Sequence, residues 1–324
     1  MLWFPLAPSD AFFRRKWALQ LKLLEGVRGS EISDFGSLFL SGCKFSFVGQ
    51  ALNYRRYHSG RVVGDIAAAC RSELDCQIKV FEDPRCHTDV LSLRDIAHMN
   101  VYIYWSYMAF AQNETVLGQE FIREAVRLKP SIIEGMPCEL MTSFLINCID
   151  DENLNHETQL QSVLDQLPPE LDWLFDQYSW AVMQGYLLKG TRALIWDRPD
   201  NGRDYFERAV MLNAQVDDYF LGILTDKLLD YEAEFGIEAA EDIHQSLGPY
   251  LKKVDKKNSI PRLQSSLMIN RAFQSYHAGD YARVPMTILP AIVRNPKYLA
   301  NRGVLSILFH SVLYSWTRLR STSH

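Results

Sequence analysis

The chain has 324 residues, a formal net charge of −5 and an isoelectric point near 5.9. Hydrophobic residues make up 48% of it and aromatic residues 12%, which is enough to bury a sizeable core and excludes a disordered chain. The acidic balance argues against a nucleic-acid-binding protein, because such proteins carry an excess of lysine and arginine. The length leaves room for about two domains.

Targeting signals and disulfides are not predicted. Apolar residues precede the first charges at the N-terminus, which is the reverse of the order in a secretory signal. No uncharged apolar stretch reaches the roughly 18 residues that a membrane-spanning helix needs. The six cysteines include no Cys-x-x-Cys pair, so they are interpreted as reduced thiols of a cytoplasmic protein. Cys70, Cys76, Cys86 and His87 are close in sequence, but their spacing fits no common zinc site, and no metal site is predicted.

The segment between residues 31 and 58 carries a recognisable order of residues. An acidic residue, Glu31, opens a predicted helix. A Gly-x-x-Phe turn from Gly42 to Phe45 then leads into a predicted strand, and an Arg-Tyr-His sequence ends at His58. In this order and spacing the segment resembles the closing part of a family 2 (GT-A type) glycosyltransferase.

The resemblance implies a sugar transfer in which a carboxylate base deprotonates the acceptor hydroxyl while Mn²⁺ or Mg²⁺ holds the leaving diphosphate. Family members supply the base as the aspartate of a Glu-Asp pair. Here Ile32 takes that place, so Glu31 and Asp34 are the candidate catalytic residues, and Arg56 and His58 are the candidate substrate-binding residues. The alternative is that Glu31 and Asp34 are first-turn acids that stabilise the start of a helix.

Two parts of such an enzyme are missing from this sequence. No Asp-x-Asp motif occurs, and Met1 lies only 30 residues before Glu31, so the nucleotide-binding half is expected to be absent. The chain is therefore predicted to be inactive alone and to need no cofactor. A divalent metal, Mn²⁺ or Mg²⁺, would be required only with an intact glycosyltransferase domain.

From Val62 onward the apolar pattern is helical, and three segments resemble tetratricopeptide repeats. Such a unit pairs two helices, with small residues where they cross, bulky residues between them and often a closing proline. The units run over residues 99–130, 183–214 and 265–296. Their small residues fall at matching offsets: Ser106, Ala109, Gly118 and Ala125 in the first unit, Gly190, Ala193, Gly202 and Ala209 in the second, and Ala272, Ser275 and Ala291 in the third.

The units begin 84 and 82 residues apart, with other helical segments between them. The predicted fold is therefore mainly α, an irregular tetratricopeptide-like helical-repeat solenoid with a short α/β glycosyltransferase-like remnant at the N-terminus. The domains are predicted as residues 1–60 for the remnant and 61–324 for the repeats. A generic α-helical bundle would satisfy the same periodicity and stays open as the alternative.

Two further features of the helical part admit alternative interpretations. The aromatic residues of 102–110 could line a sugar or peptide groove, but a helix that is apolar nearly all round favours core packing. The charge run of residues 252–257 predicts a solvated loop.

A C-terminal helix is predicted over residues 303–320. Its apolar residues recur at helical spacing, which favours a cap that seals the last repeat over a membrane-surface or partner-binding helix. The predicted stripe consists of Leu305, Leu308, Val312, Trp316 and Leu319, and Val304, Ile307, Phe309 and Leu313 widen the apolar face beyond it.

Two functions follow from these features. The first is the C-terminal portion of a glycosyltransferase-related protein, inactive alone, whose helical repeats bind an acceptor or partner. The second is a non-catalytic protein–protein interaction scaffold of the tetratricopeptide type. The expected partner is a protein or a glycan acceptor, and no nucleic acid. Peripheral membrane association is an alternative for the C-terminal helix.

Overall fold

A computed structural model of the chain describes residues 64–150, 154–195, 198–255 and 259–321, with side chains up to Tyr314. Within these ranges the protein is mainly helical and contains no strand, only an isolated bridge between Gly135 and Cys138. The prediction of a mainly α fold is confirmed. The remnant predicted for residues 1–60, with its strand over residues 44–57, lies outside the described residues.

The helices follow one another with short connections. They are α1 Ile66–Phe81, α2 Thr88–Leu91, α3 Arg94–Ala111, α4 Thr115–Leu128, α5 Glu139–Asp150, α6 His156–Leu164, α7 Tyr178–Ile195, α8 Pro199–Met211, α9 Asp218–Phe235, α10 Ile237–Val254, α11 Ile260–His277, α12 Arg283–Arg294 and α13 Arg302–Ser321. Three 3₁₀ helices lie between them, at Pro130–Ile133, Pro169–Gln177 and Pro296–Ala300.

From α3 to α12 the helices follow each other as hairpins: α3 with α4, α5 with α6, α7 with α8, α9 with α10, and α11 with α12. The first helices of these hairpins start at residues 94, 139, 178, 218 and 260, which are 39 to 45 residues apart. The three predicted repeat units coincide with the first, third and fifth hairpins. The segments between them, for which the sequence offered no consensus, are hairpins as well.

The described chain divides into two compact units, and the division falls between Val182 and Met183, inside α7. The first unit holds α1 to α6 and the start of α7. The second unit holds the rest of α7 and the helices up to α13. The domain boundary predicted near residue 60 lies just outside the described residues and stays a prediction.

Small residues allow the paired helices to approach each other closely. A Cβ atom on Gly118 would lie 2.4 Å from Cε1 of Phe110, and one on Gly190 would lie 2.8 Å from Cδ2 of Phe206. Both distances are shorter than carbon atoms tolerate, so the ring occupies the space where a side chain would stand. Residues predicted from the sequence as small crossing positions thus pack as expected in α3–α4 and in α7–α8.

The turns inside two of the hairpins use a left-handed backbone conformation. Asn113 has φ 60° and Gly279 has φ 80°, and each lies two residues after the end of the first helix. Glycine adopts this conformation without strain, and asparagine tolerates it better than most residues do. These two residues therefore allow the chain to turn back within α3–α4 and within α11–α12.

The aromatic cluster of α3 belongs to the core only in part. Tyr107 and Phe110 are buried, whereas Tyr102, Tyr104 and Trp105 are half-buried. The interpretation as core packing is confirmed for the two buried rings.

The C-terminal helix exists as predicted, but the predicted core stripe is wrong for two of its residues. Leu305 and Val312 are 39% and 49% exposed, while Val304 and Ile307 enter a cluster with residues of α11 and α12. Successive helical residues are turned by about 100°, so burying Val304 turns Leu305 toward solvent. Trp316 and Leu319 lie beyond the described side chains.

The charge run near residue 252 also differs from its prediction. Lys252 and Lys253 form part of the last turn of α10 and are exposed, so the run begins in a helix and not in a loop. Cations stabilise this end of a helix because unpaired carbonyl groups concentrate negative charge there. Residues 256–258 lie outside the described ranges.

Candidate functional site

The residues predicted for catalysis and substrate binding, Glu31, Asp34, Arg56 and His58, lie outside the described residues. Their roles therefore stay predictions. Within the described ranges, no group of three or more His, Cys, Asp or Glu side chains is arranged to hold a metal ion. In the same ranges, none of the helices is both long and apolar enough to cross a lipid bilayer.

A cleft of about 510 Å³ opens in the second unit, beside α10. This volume lies within the range of about 300–1,000 Å³ that small-ligand sites occupy. The end of α7, one side of α8 and one face of α10 border this cleft, which is open to solvent. Its lining residues are Leu194, Pro199, Arg203, Ser246, Pro249, Tyr250 and Lys253.

Local sequence explains why these helices meet at the cleft. Pro199 starts α8 at a position where proline fits, because the first turn of a helix needs no N–H donor there. Gly202 then lets α7 come close, since a Cβ atom on it would lie 2.8 Å from Cγ of Leu194. On α10, Ser246, Tyr250 and Lys253 follow at intervals of four and three residues and so share one face.

The Tyr250 ring is fixed against the core. It stacks on Phe206 with ring centroids 5.2 Å apart and an interplanar angle of 26°. Phe206 is itself fully buried and fills the space beside Gly190. Such an aromatic pair contributes about 0.5–1.5 kcal/mol beyond its buried area, so the stacking favours this orientation of the Tyr250 ring.

Two cations stand at the rim of the cleft. Nζ of Lys253 lies 5.9 Å from the centroid of the Tyr250 ring. Arg203 is half exposed, with Nη2 3.4 Å from Oδ1 of Asp200 and Nε 3.9 Å from Oδ1 of Asp204. Such long, exposed ion pairs contribute little, so Arg203 can exchange them for a ligand carboxylate at small cost.

The described lining of the cleft contains no carboxylate side chain. It combines two cations and the hydroxyl group of Ser246 with proline, leucine and tyrosine surfaces. An anionic group attached to an apolar group would satisfy both halves of this lining. Sequence reasoning missed the cleft, although Lys253 belongs to the charge run that it noted.

A half-buried carboxyl group forms a second polar feature, in the first unit. Oε2 of Glu73, on α1, accepts a hydrogen bond of 2.7 Å from Nε1 of Trp105, on α3. Burial raises the pKa of Glu73 because it disfavours the charged form, and the hydrogen bond from Trp105 offsets only part of this effect. The neighbouring Cys70 thiol has its pKa raised to about 12, chiefly by burial, and is thus protonated and unreactive.

The raised pKa of Glu73 predicts a pH-dependent stability. The folded protein holds the Glu73 proton more tightly than the unfolded chain does. Protonated Glu73 therefore adds to the free energy of unfolding below the ordinary carboxyl pKa, and this contribution is lost as pH rises through the raised pKa. Glu73→Gln removes the titration but keeps an oxygen acceptor for Trp105. We expect the urea midpoint of the variant, relative to that of the wild type, to increase as pH rises from about 4 to about 7. Asp75→Asn, at an exposed position of the same helix, is the control, and equal pH profiles for Glu73→Gln and wild type would contradict the prediction.

Comparison of the chain with protein-family models, with curated proteins and with solved structures found no match. The helical hairpins and the cleft beside α10 are therefore the features that bear on function.

Proposed function

We propose that the helical part of this chain is a non-catalytic, tetratricopeptide-like interaction module that binds a peptide segment of a partner protein. Successive hairpins 39 to 45 residues apart, with small residues at matching crossing points, support this proposal. In helical-repeat proteins, stacked helix pairs present side chains of several helices to one ligand. The proposal includes a cytoplasmic location, which the reduced cysteines favour.

The observation that carries the proposal is the cleft beside α10, whose lining combines the Tyr250 ring with Arg203 and Lys253. Arginine and lysine bind carboxylates through charge-assisted hydrogen bonds, which contribute more than neutral ones. The aromatic and proline surfaces bind aliphatic or aromatic side chains. The ligand is therefore a peptide in which glutamate or aspartate neighbours a large apolar residue.

Fluorescence polarisation with short labelled peptides tests this proposal. The probes pair two glutamates with a leucine or a phenylalanine, and matched peptides carry lysine in place of glutamate. We expect the glutamate peptides alone to bind. Arg203→Gln and Lys253→Gln should each weaken binding about ten-fold, because each removes one charge-assisted hydrogen bond.

Lys227→Gln provides the matched control, because Lys227 is an exposed lysine of α9 outside the cleft lining. This variant should bind the peptides like the wild type. Equal losses in Lys227→Gln and Lys253→Gln would mean that the attraction is general and not local to the cleft. Binding of the lysine peptides would also contradict the proposal.

The relation to family 2 glycosyltransferases is a second proposal, and the sequence of residues 31–58 supports it. Under it, Glu31 and Asp34 derive from the base motif, Arg56 and His58 derive from the substrate site, and the repeats hold a glycan or protein acceptor. The chain would remain inactive without a nucleotide-sugar-binding half. Calorimetric titration with uridine and guanosine sugars in the presence of Mn²⁺ is decisive here, since micromolar metal-dependent binding would refute that inactivity.

A further inference from the structure

The last hairpin exposes apolar side chains on the side of α12 that faces away from the core. Met286, Leu289 and Val293 are 77%, 54% and 81% exposed. With about 100° of rotation per residue, they stand opposite the buried residues of the same helix. Those buried residues are Val284, Ile288 and Ala291. Helix α12 is thus apolar on two opposite faces, and only one of these faces packs against the protein.

The same exposure continues along the chain into α13. Leu299 is 56% exposed and Phe309 67% exposed, and Leu305, Val312 and Leu313 are each 39% to 49% exposed. We refer to these five residues, together with Met286, Leu289 and Val293, as the C-terminal apolar surface. Single exposed apolar residues are ordinary, but several of them on one face of a helix, as on α12, are typical of an interaction surface.

Charge in this part of the chain has one sign. Residues 281–324 contain six lysines and arginines and no aspartate or glutamate. The rest of the chain contains 28 lysines and arginines and 39 aspartates and glutamates. Arg294, Lys297 and Arg302 are exposed and lie on or between the helices that carry the apolar residues. Arg283, at the start of α12, pairs with Asp280 in the preceding turn. A basic, apolar surface on an otherwise acidic protein is complementary to an anionic, apolar partner.

We propose that the C-terminal apolar surface docks on an anionic membrane. Met286, Val293 and Phe309 enter the boundary between headgroups and acyl chains, while Lys297 and Arg302 contact the anionic headgroups. A bilayer fits better than an acidic helical peptide, because such a peptide binds in a groove between elements, whereas Met286, Leu289 and Val293 are exposed on one face of a single helix. This inference does not rest on the proposed peptide binding, which uses α8 and α10.

Vesicle cosedimentation tests the inference on the full chain. Vesicles of phosphatidylcholine with phosphatidylserine should bind the protein, vesicles of phosphatidylcholine alone should not, and added salt should weaken binding. Val293→Asp should lower the partition coefficient about ten-fold, because a side chain that enters the bilayer becomes charged. Lys297→Gln and Arg302→Gln should lower it about five-fold each.

Val116→Asp and Met211→Asp are the matched controls. Val116 and Met211 are 73% and 72% exposed, nearly as much as Val293, but lie on α4 and α8. Both variants should bind vesicles like the wild type. Circular dichroism should give the same helicity and melting temperature for Val293→Asp as for the wild type. If Val293→Asp changes either value, Lys297→Gln and Arg302→Gln still test the proposal, because they leave every apolar residue in place.

Three outcomes would overturn the proposal: no binding to anionic vesicles, equal binding to both vesicle types, or equal losses in the controls. Sedimentation equilibrium tests whether a second copy of the chain, and not a membrane, covers this surface. A dimer that Val293→Asp abolishes, without vesicle binding by the wild type, would assign the C-terminal apolar surface to a second copy of the chain. Tight binding of an acidic helical peptide without vesicle binding would assign it to a partner protein.

Discussion

Replacing Gly118 with alanine should destabilise the protein by about 1–3 kcal/mol, although alanine is the better helix former. The new methyl group would lie 2.4 Å from Cε1 of Phe110 and within 3 Å of two further atoms of the same ring. Phe110 is fully buried, so its ring has no free space into which it could move. Overpacking therefore outweighs the roughly 1 kcal/mol that alanine gains from helix propensity.

Gly222→Ala is the matched control and should shift stability in the opposite direction. Gly222 also lies inside a helix, α9, but no atom lies within 4 Å of the position of an added Cβ atom. Only the backbone effect remains there, so alanine should stabilise the protein by about 0.5–1 kcal/mol. Urea unfolding of the two variants measures both effects. A stabilising Gly118→Ala would show that α3 and α4 are not packed as closely as described.

The sequence predicted the hairpins because their signal is local. A small residue such as Gly190 and a large one such as Phe206 occur at a fixed spacing in each unit, and that spacing sets which side chains meet across a helix pair. The hairpin α5–α6 was predicted only as helical segments. There large residues such as Leu140 and Phe144 fill the interior, so the small-residue pattern is missing even though the helices pair.

The buried face of α13 could not be predicted from its own residues. Val304 and Leu305 are adjacent and both apolar, and the helix is apolar around more than half of its circumference. The neighbouring helices decide which of the two is buried. Val304 and Ile307 pack in one cluster with Val284 and Ile288 of α12. A helix pattern reports which faces are apolar, but the neighbouring helices decide which one is buried.

Two further features could not be predicted, because they depend on contacts between residues that are distant in sequence. Arg271 forms a two-atom ion pair with Glu232, with Nε 3.0 Å and 2.9 Å from the two carboxylate oxygens, across 39 residues of sequence. The cleft likewise combines Leu194 with Tyr250, which only the paths of α7 and α10 bring together. Neither contact leaves a periodic signal, so the candidate site emerged only from the three-dimensional arrangement.

Phe206→Ala should lower the free energy of unfolding by about 3–5 kcal/mol, more than Gly118→Ala does. The side chain is fully buried, and the space beside Gly190 cannot close around an alanine without a shift of α7 toward α8. Phe235→Ala is the control, because Phe235 is 52% exposed at the end of α9 and leaves no enclosed cavity. Thermal unfolding followed by circular dichroism compares the two variants, and equal losses would contradict the burial of Phe206.

Phe206 also connects the core to the candidate site, and this connection can be measured separately from stability. Tyr250 stacks on Phe206, so removing that ring releases one wall of the cleft. Phe206→Leu keeps most of the buried volume while it abolishes the stacking, which makes it the variant of choice for binding measurements below its melting temperature. It should weaken the binding of glutamate peptides by lowering the population of the binding-competent Tyr250 orientation. A folded Phe206→Leu variant with unchanged affinity would mean that Tyr250 does not need the core to hold it, and that Arg203 and Lys253 alone provide the binding.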